Sequence, residues 1–300
     1  FDVVASARRA FATRRVGHAG TLDPLATGLL VLATDTSTRL VPYLTGHDKQ
    51  YLALISLGAG TPTLDGEGPV TATAPVPGDA LDRAPQALAE LTGEQDQLPP
   101  RFSAVHVNGQ RAYQAARAGQ EVKLEPRRVT VQRLDLLAVL DRAQDASRLA
   151  ERPDVAALLP EAGQPFAARW PQPLGDYPTL AVLADVSAGT YIRSLARDLG
   201  ERLGVPAHLA GLIRTRVGGL NLRDAAPLDA LAAAKPWPEA EAAGLPLLAV
   251  DEPVAKDLRD GKRLPSDRRG LVAATCNQQL VAILEGDGVA LRVKRAWPPA

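Results

Sequence analysis

The sequence predicts an α+β fold, a mixed and largely antiparallel sheet flanked by helices, followed by a small β-rich unit at the C-terminal end. Three observations point there. Strand-like apolar runs and helix-like apolar faces both recur along the 300 residues, without the regular βα alternation of a doubly wound fold. The last fifty or so residues carry three strand-like runs close together. A hydrophobic share of 46% beside 23% charged residues is that of a folded chain rather than a disordered one.

Taken in order, Leu29–Ala33 follows a Gly/Pro-rich loop and reads as a buried strand. Thr36–Leu44 has apolar residues at helical spacing and stops at Gly46. Tyr51–Leu57 reads as a second buried strand, ended by Gly58 and Gly60, and 59–78 as a long loop. Leu81–Leu91 predicts a helix closed by Gly93. Ala104–Val107 and Asn108-Gly109 read as strand and tight turn, with a helix expected over Gln110–Ala118. Val129–Leu140 is long and apolar enough for a central strand. Residues 141–178, rich in alanine, charge and proline (Pro153, Pro160, Pro165, Pro171, Pro173, Pro178), predict a partly helical surface insertion.

Leu180–Val186 returns to strand. Ile192, Leu195, Ala196, Leu199 and Leu203 then keep one helical face, with Thr190 as the expected N-cap. Pro227–Ala234 predicts a helix with its proline in the first turn, where no amide donor is needed. Pro236-Trp237-Pro238 opens a linker. Beyond it come a short helix at Val254–Arg259, a turn at Gly261, and strands at 271–275, 280–284 and 289–295. The expected division is a body at 1–246 and an appended unit at 247–300.

Composition bounds the chemistry. Cys276 is the single cysteine, which excludes an intramolecular disulfide framework and a multi-cysteine zinc site. With four scattered histidines, no metal is expected. The apolar runs are far shorter than a membrane span, no charged-then-apolar leader opens the chain, and a cytoplasmic location is expected. The chain opens on Phe1 and holds no methionine, so a segment ahead of it is expected.

Net charge is zero, yet it is distributed in blocks: −6 over 51–100, +5 over 101–133, +4 over 190–223 and +4 over 253–300. Such alternation fits an ordinary mixed-charge surface, or a basic groove of the kind nucleic acids bind.

The densest local signal is the run Arg14 to Leu30, in which three glycines and a proline hold His18 and Asp23 in a loop that enters a buried strand. Asp23-Pro24 is there a plain turn, or a carboxylate held on a rigid loop for chemistry. In Ser187–Ser194, Tyr191 and Arg193 open a helix. A cation there opposes the helix dipole unless an anion such as Asp23 answers it. Tyr51, after Lys49-Gln50 at a strand start, is a core residue or a base-stacking platform. Pro99–Tyr113 and Ile213–Gly219 lie in the basic blocks, and either reads equally as a solvated strand edge.

Together and in this order, these segments resemble the TruB family of tRNA pseudouridine synthases. The match of Gly17–Leu30 to the family's Gly-His-x-Gly-x-Leu-Asp-Pro-x-Ala-x-Gly loop is the most specific. Lys49–Tyr51, Ser103-Ala104 with Gly109–Tyr113, Gly189–Arg193, and Ala207-His208 through Arg214 recur in their expected places. The likeness spans the chain apart from 141–178. An Asp-Lys-Pro-x-Gly strand that usually opens the family is absent from it.

The resemblance implies the pseudouridine synthase fold and, for 247–300, a PUA-like RNA-binding domain whose charge comes from Lys262, Arg263, Arg268, Arg269, Lys294 and Arg295. It implies isomerisation of uridine 55 in the tRNA T-loop, with Asp23 catalytic and no cofactor. His18 would fill the stack vacated by the flipped base, Tyr51 would stack on it, Tyr191 and Leu212 would line the uracil pocket, and Arg193 would pair with Asp23. Arg101, Arg111, Arg214 and Arg216 would follow phosphates. A monomer acting on the T-arm stem-loop, without membrane or metal, is the expectation. The alternatives are a non-catalytic tRNA chaperone on the same scaffold and a guide-RNA-dependent synthase.

Overall fold

The structure is a computed structural model that describes residues 2–103, 106–107, 110–111, 124–160, 170 and 175–299. The body is built on a seven-stranded sheet. Its long strands are β4 (Lys49–Leu57), β5 (Gly93–Gln97), β6 (Arg127–Leu140), β7 (Thr179–Val186) and β8 (Ala207–Val217). The order runs from the short strand Leu220–Asn221 through β8, β4, β7 and β6 to β5, every neighbouring pair antiparallel. One parallel strand joins it: β2 (Ala26–Gly28) lies on β8. Before β2, β1 (Val16–Ala19) pairs with β3 (Val31–Thr34), and helix α1 (Asp2–Ala10) precedes both.

Both faces of the sheet are covered, which is why β4 reads as a continuous apolar run. Tyr51, Ala53, Ile55 and Leu57 face helices α3 (Ala80–Glu90) and α4 (Ile192–Leu203) in one core. Leu52 and Leu54 face the other way, against Ala143, Ala146, Leu149 and Val155. The described part of the 141–178 segment is therefore a second packing layer and not a surface insertion. Its 3-10 helix, Ala143–Glu151, turns one buried residue inward every third position, and the Trp170 indole donates to the Ala146 carbonyl at 3.2 Å.

Four further expectations shift. β6 is not central, because β5 alone lies beyond it at the sheet edge. Gln110–Arg111 pairs with His106–Val107 as a β-hairpin instead of starting a helix, and 112–118 lies outside the described residues. Asp35–Leu40 is 3-10 helix, running into α2 (Val41–Thr45). Leu228–Ala233 is 3-10 as well, with Pro227 at its N-cap rather than in its first turn.

The C-terminal sheet contains β9 (Leu247–Ala249), β10 (Arg269–Cys276), β11 (Gln279–Asp287) and β12 (Ala290–Ala296), with Leu264–Pro265 on its far edge. Helix α5 (Glu252–Arg259) packs on it, capped by Asp251, whose carboxylate accepts from the Val254 amide at 3.0 Å. The C-terminal sheet shares a cluster with β1 and the helical segment after β3: Ala19, Leu40 and Leu44 meet Ala273, Leu280, Ile283 and Trp297. No helix among the described residues is long and apolar enough to cross a membrane.

Candidate active site

The Asp23 loop runs between β1 and β2, and β8 holds it in place. Ala26, Thr27 and Gly28 lie opposite Leu212, Ile213 and Arg214. Gly28 has φ +98°, and a Cβ there would collide with the Arg214 backbone, so the close approach of β2 requires glycine. The Arg214 side chain is 1% exposed and ties the loop together from within. Its Nε donates to the Leu29 carbonyl at 2.7 Å and its Nη2 to the Gly20 carbonyl at 3.0 Å. The Ala26 amide donates to the Asp23 carbonyl at 2.8 Å and closes the turn. What this leaves accessible is the Asp23 carboxylate, 30% exposed.

Arg193, the second residue of α4, meets that carboxylate as a fork. Nε lies 3.0 Å from Oδ2 and Nη2 lies 2.8 Å from Oδ1. The other guanidinium hydrogens are also spoken for: Nη1 donates to the Thr63 carbonyl and Nη2 to the Phe102 carbonyl, each at 3.1 Å. Asp65 Oδ2 stands 3.5 Å from Nη1. Asp65 is buried, and it accepts from the Thr63 hydroxyl at 2.6 Å and the Glu67 amide at 3.1 Å. Two carboxylates thus offset a cation placed against the helix dipole. Their field reaches further, since partial desolvation and then the charges of Asp65 and Asp23 push the Glu67 carboxyl pKa up.

Tyr51 lies opposite Arg214 on the neighbouring strand. Burial raises its phenol pKa, the Arg214 charge and hydrogen bond oppose that, and Asp23 adds to it. The phenol is therefore neutral near pH 7 and presents a flat apolar ring with a proton at its tip. Tyr51 shares a buried cluster with Leu25, Ile192 and Leu212. Tyr191, immediately ahead of α4, is its N-cap in place of the expected Thr190. His18 stands on β1 opposite Leu32, half-buried, and its Nδ1 has no hydrogen-bond partner among the described residues. Lys49 donates to the Thr45 carbonyl at 2.7 Å and the His47 carbonyl at 2.5 Å. Burial first, then Arg214, pulls its pKa down to about 8 against the opposing charge of Asp48.

The structure thus brings Asp23, Arg193, Tyr51 and Leu212 together, with Tyr191 at the start of the same helix and His18 on the strand entering the same loop. Sequence reasoning misses Asp65 and Thr63. Asp65 sits in a Thr-rich loop of no period, and its bridge to Leu209 helps bring it to the site. Two arginines assigned to RNA phosphates behave otherwise. Arg214 is buried on backbone carbonyls and cannot reach a phosphate. Arg216 bonds Asp185 at 2.5 Å and the Gly218 carbonyl at 2.9 Å, so its charge is engaged internally. Arg101 is exposed, and the Arg111 side chain lies outside the described residues.

Against known proteins, residues 8–150 match the family model of the TruB family pseudouridylate synthase N-terminal domain. Residues 193–254 match that of the tRNA pseudouridylate synthase B C-terminal domain. The tRNA pseudouridine synthase B of Deinococcus deserti is 51% identical over 297 residues, which cover 99% of this chain and 95% of that one. The chain belongs to the TruB family. Its Deinococcus radiodurans relative of the same name is 48% identical over 99% of this chain and 95% of the relative. The Thermus thermophilus TruB protein is 45% identical over 99% and 94%. Among solved structures, an archaeal box H/ACA sRNP Nop10-Cbf5 complex superposes with a TM-score of 0.66 at 22% identity, covering 99% of this chain and 82% of that one. A Cbf5-Nop10-Gar1 complex gives 0.65 at 24%, covering 99% and 80%. These two likenesses establish the fold, and the TruB assignment rests on the family models and the close relatives.

Proposed function

We propose that this chain is a tRNA pseudouridine synthase that isomerises uridine 55 of the T-loop, with Asp23 as the catalytic carboxylate. The observation that carries the reading is the forked Asp23–Arg193 pair. One carboxylate is gripped on both oxygens by a buried guanidinium, held in a single orientation, and left partly open to solvent. In the reaction the N1–C1′ bond breaks, the base turns, and a C5–C1′ bond forms. The C5 proton leaves to solvent while N1 gains one, so product and substrate are isomers. An ionised carboxylate serves either as the nucleophile or as the proton acceptor.

A base in a folded tRNA arm must leave its stack to be reached. His18 fills that gap. Tyr51 stacks on the uracil, while Tyr191 and Leu212 complete its pocket. Arg101 and Arg111 follow the backbone outside, with binding that weakens as salt rises. Residues 1–246 form the catalytic domain. Residues 247–300 form a PUA-like RNA-binding domain, whose Arg268, Arg269 and Arg295 are exposed. The protein works as a cytoplasmic monomer, without cofactor, metal or guide RNA.

The test is a T-arm stem-loop tritiated at C5 of uracil, since joining the base through that carbon expels the label into water. The parent releases tritium from the bare stem-loop and Asp23→Asn does not. Binding without release by the parent refutes the enzyme reading in favour of an RNA chaperone. Release only with added guide RNA refutes the stand-alone one.

A further inference from the structure

We infer that Gln97 is a positioning residue for the uracil pocket, acting through the backbone of Tyr191. The inference rests on the synthase reading above and assigns a role to a side chain outside the Asp23 site. Gln97 ends β5, the edge strand, and is 2% exposed. Both halves of its amide meet one residue. The Tyr191 N–H donates to Oε1 at 2.8 Å, and Nε2 donates to the Tyr191 carbonyl at 3.1 Å.

Two antiparallel bonds from one planar amide, one to each peptide group flanking the Tyr191 Cα, fix that residue's backbone position and rotation together. A single bond would leave it free to swing. The arrangement also answers a local shortage. Tyr191 is the N-cap of α4, no side chain of that segment caps the helix, and its first amides lie among the orphan donors of a helix start. In a capping box the N-cap amide is satisfied by a residue three positions on. Here the same bond comes from a strand 94 residues away in sequence. The chain just after Gln97 keeps to the same helix start. The Ser194 hydroxyl donates to the Leu98 carbonyl at 2.8 Å, and Arg193 Nη2 donates to Phe102 at 3.1 Å. Gln97 therefore fixes the backbone from which the Tyr191 ring departs, two residues before the guanidinium that holds Asp23.

The experiment compares the parent with Gln97→Leu, Gln97→Glu and Gln95→Ala on the tritiated stem-loop under single turnover, at a temperature where circular dichroism shows each fully folded. Gln95→Ala is the control, because it removes a 2.7 Å bond from the same strand to the Leu91 carbonyl without touching Tyr191. Expected are a slowing by roughly ten- to a hundredfold for Gln97→Leu, stem-loop Kd within about twofold of the parent, and a parental rate for Gln95→Ala. Gln97→Glu carries a pH signature. The ionised carboxylate accepts from the Tyr191 amide but repels its carbonyl, whereas the protonated form again offers one acceptor and one donor. Its rate relative to the parent therefore rises as pH falls, which a merely structural role does not produce. If Gln97→Leu fails to fold, this ratio alone decides. Release by the parent with an unaltered Gln97→Leu rate, or a flat Gln97→Glu ratio, overturns the inference. A parent that releases nothing overturns the synthase reading and this inference with it.

Discussion

Removing the Arg193 guanidinium separates what it does for stability from what it does for chemistry. Arginine there makes four hydrogen bonds and one longer ion pair, to Asp23, Asp65, Thr63 and Phe102. In Arg193→Met these acceptors lose their cation. Asp23, 30% exposed, recovers water, but Asp65, 3% exposed, does not. Breaking a buried pair by removing one partner costs about 3–5 kcal/mol, so Arg193→Met loses that much against urea. Most of the cost falls on Asp65, so adding Asp65→Asn to Arg193→Met restores a large part of the stability and none of the rate.

Arg193→Lys keeps the charge and loses the fork. An ammonium has three donors on a single atom and cannot grip both oxygens of Asp23 in one plane. Stability falls by only about 1–3 kcal/mol. Tritium release under single turnover slows by about a hundredfold, the usual cost of a reacting group misplaced by an ångström. Urea melts and release rates on the same preparations check both halves. A lysine variant that keeps the parental rate refutes the argument that the planar fork aims the carboxylate. A methionine variant as stable as the parent refutes the argument that Asp65 depends on it.

Four other outcomes are expected. Gly28→Ala forces a Cβ into the Arg214 backbone at positive φ; it costs at least about 1–3 kcal/mol and abolishes release, because β2 can no longer lie on β8. Trp297→Ala empties a site that is 3% exposed and breaks the indole's 3.1 Å bond to Glu239, costing about 3–5 kcal/mol in a urea melt. His208 is buried, bonded at 2.9 Å to the Ala59 carbonyl, and its pKa is lowered mainly by burial. The unfolded chain protonates it near 6.5 and the folded one resists, so stability drops as pH falls below 6.5, and His208→Gln flattens that limb. For Lys49, with a pKa of about 8 in the fold and 10.5 unfolded, parental stability relative to Lys49→Met rises between those two pH values, as chemical melts across that range will read.

Much of this architecture is legible in the sequence where a local pattern has one physical meaning. Continuous apolar runs such as Tyr51–Leu57 and Leu180–Val186 are strands buried on both faces, and each appears within two residues of its expected place. The Asp23 loop is legible because glycines at set intervals before a buried strand leave few conformations. The 143–151 layer is hidden because its inward residues, Ala143, Ala146 and Leu149, repeat every three positions, a 3-10 period that a search at 3.6 does not register. The rank of β6 in the sheet is hidden because strand order is set by long-range pairing. Arg214 misleads, since arginine in a basic block reads as surface. Nothing local announces that two carbonyls wait for it inside. Gln97 is invisible for the same reason: Gly93–Gln97 carries no apolar side chain, yet its last residue is buried.

The cluster that joins β1 to the C-terminal sheet bears on how the proposed RNA-binding unit would serve the reaction. Ala19 packs with Ala273, Leu280, Ile283 and Trp297, and it is the residue after His18 on the same strand. Around it, Glu239 accepts from both Ser37, at 2.5 Å, and Trp297, while Arg39 donates to the Ala296 carbonyl. A tethered domain raises local concentration and leaves orientation free. A domain whose core continues into β1 fixes orientation as well, so RNA held by the C-terminal sheet would meet His18 at a set distance. Loss of Trp297 should then weaken more than stability. It detaches the sheet from the strand that carries His18, and a substrate long enough to touch both should lose more of its rate than a stem-loop that reaches only the Asp23 site.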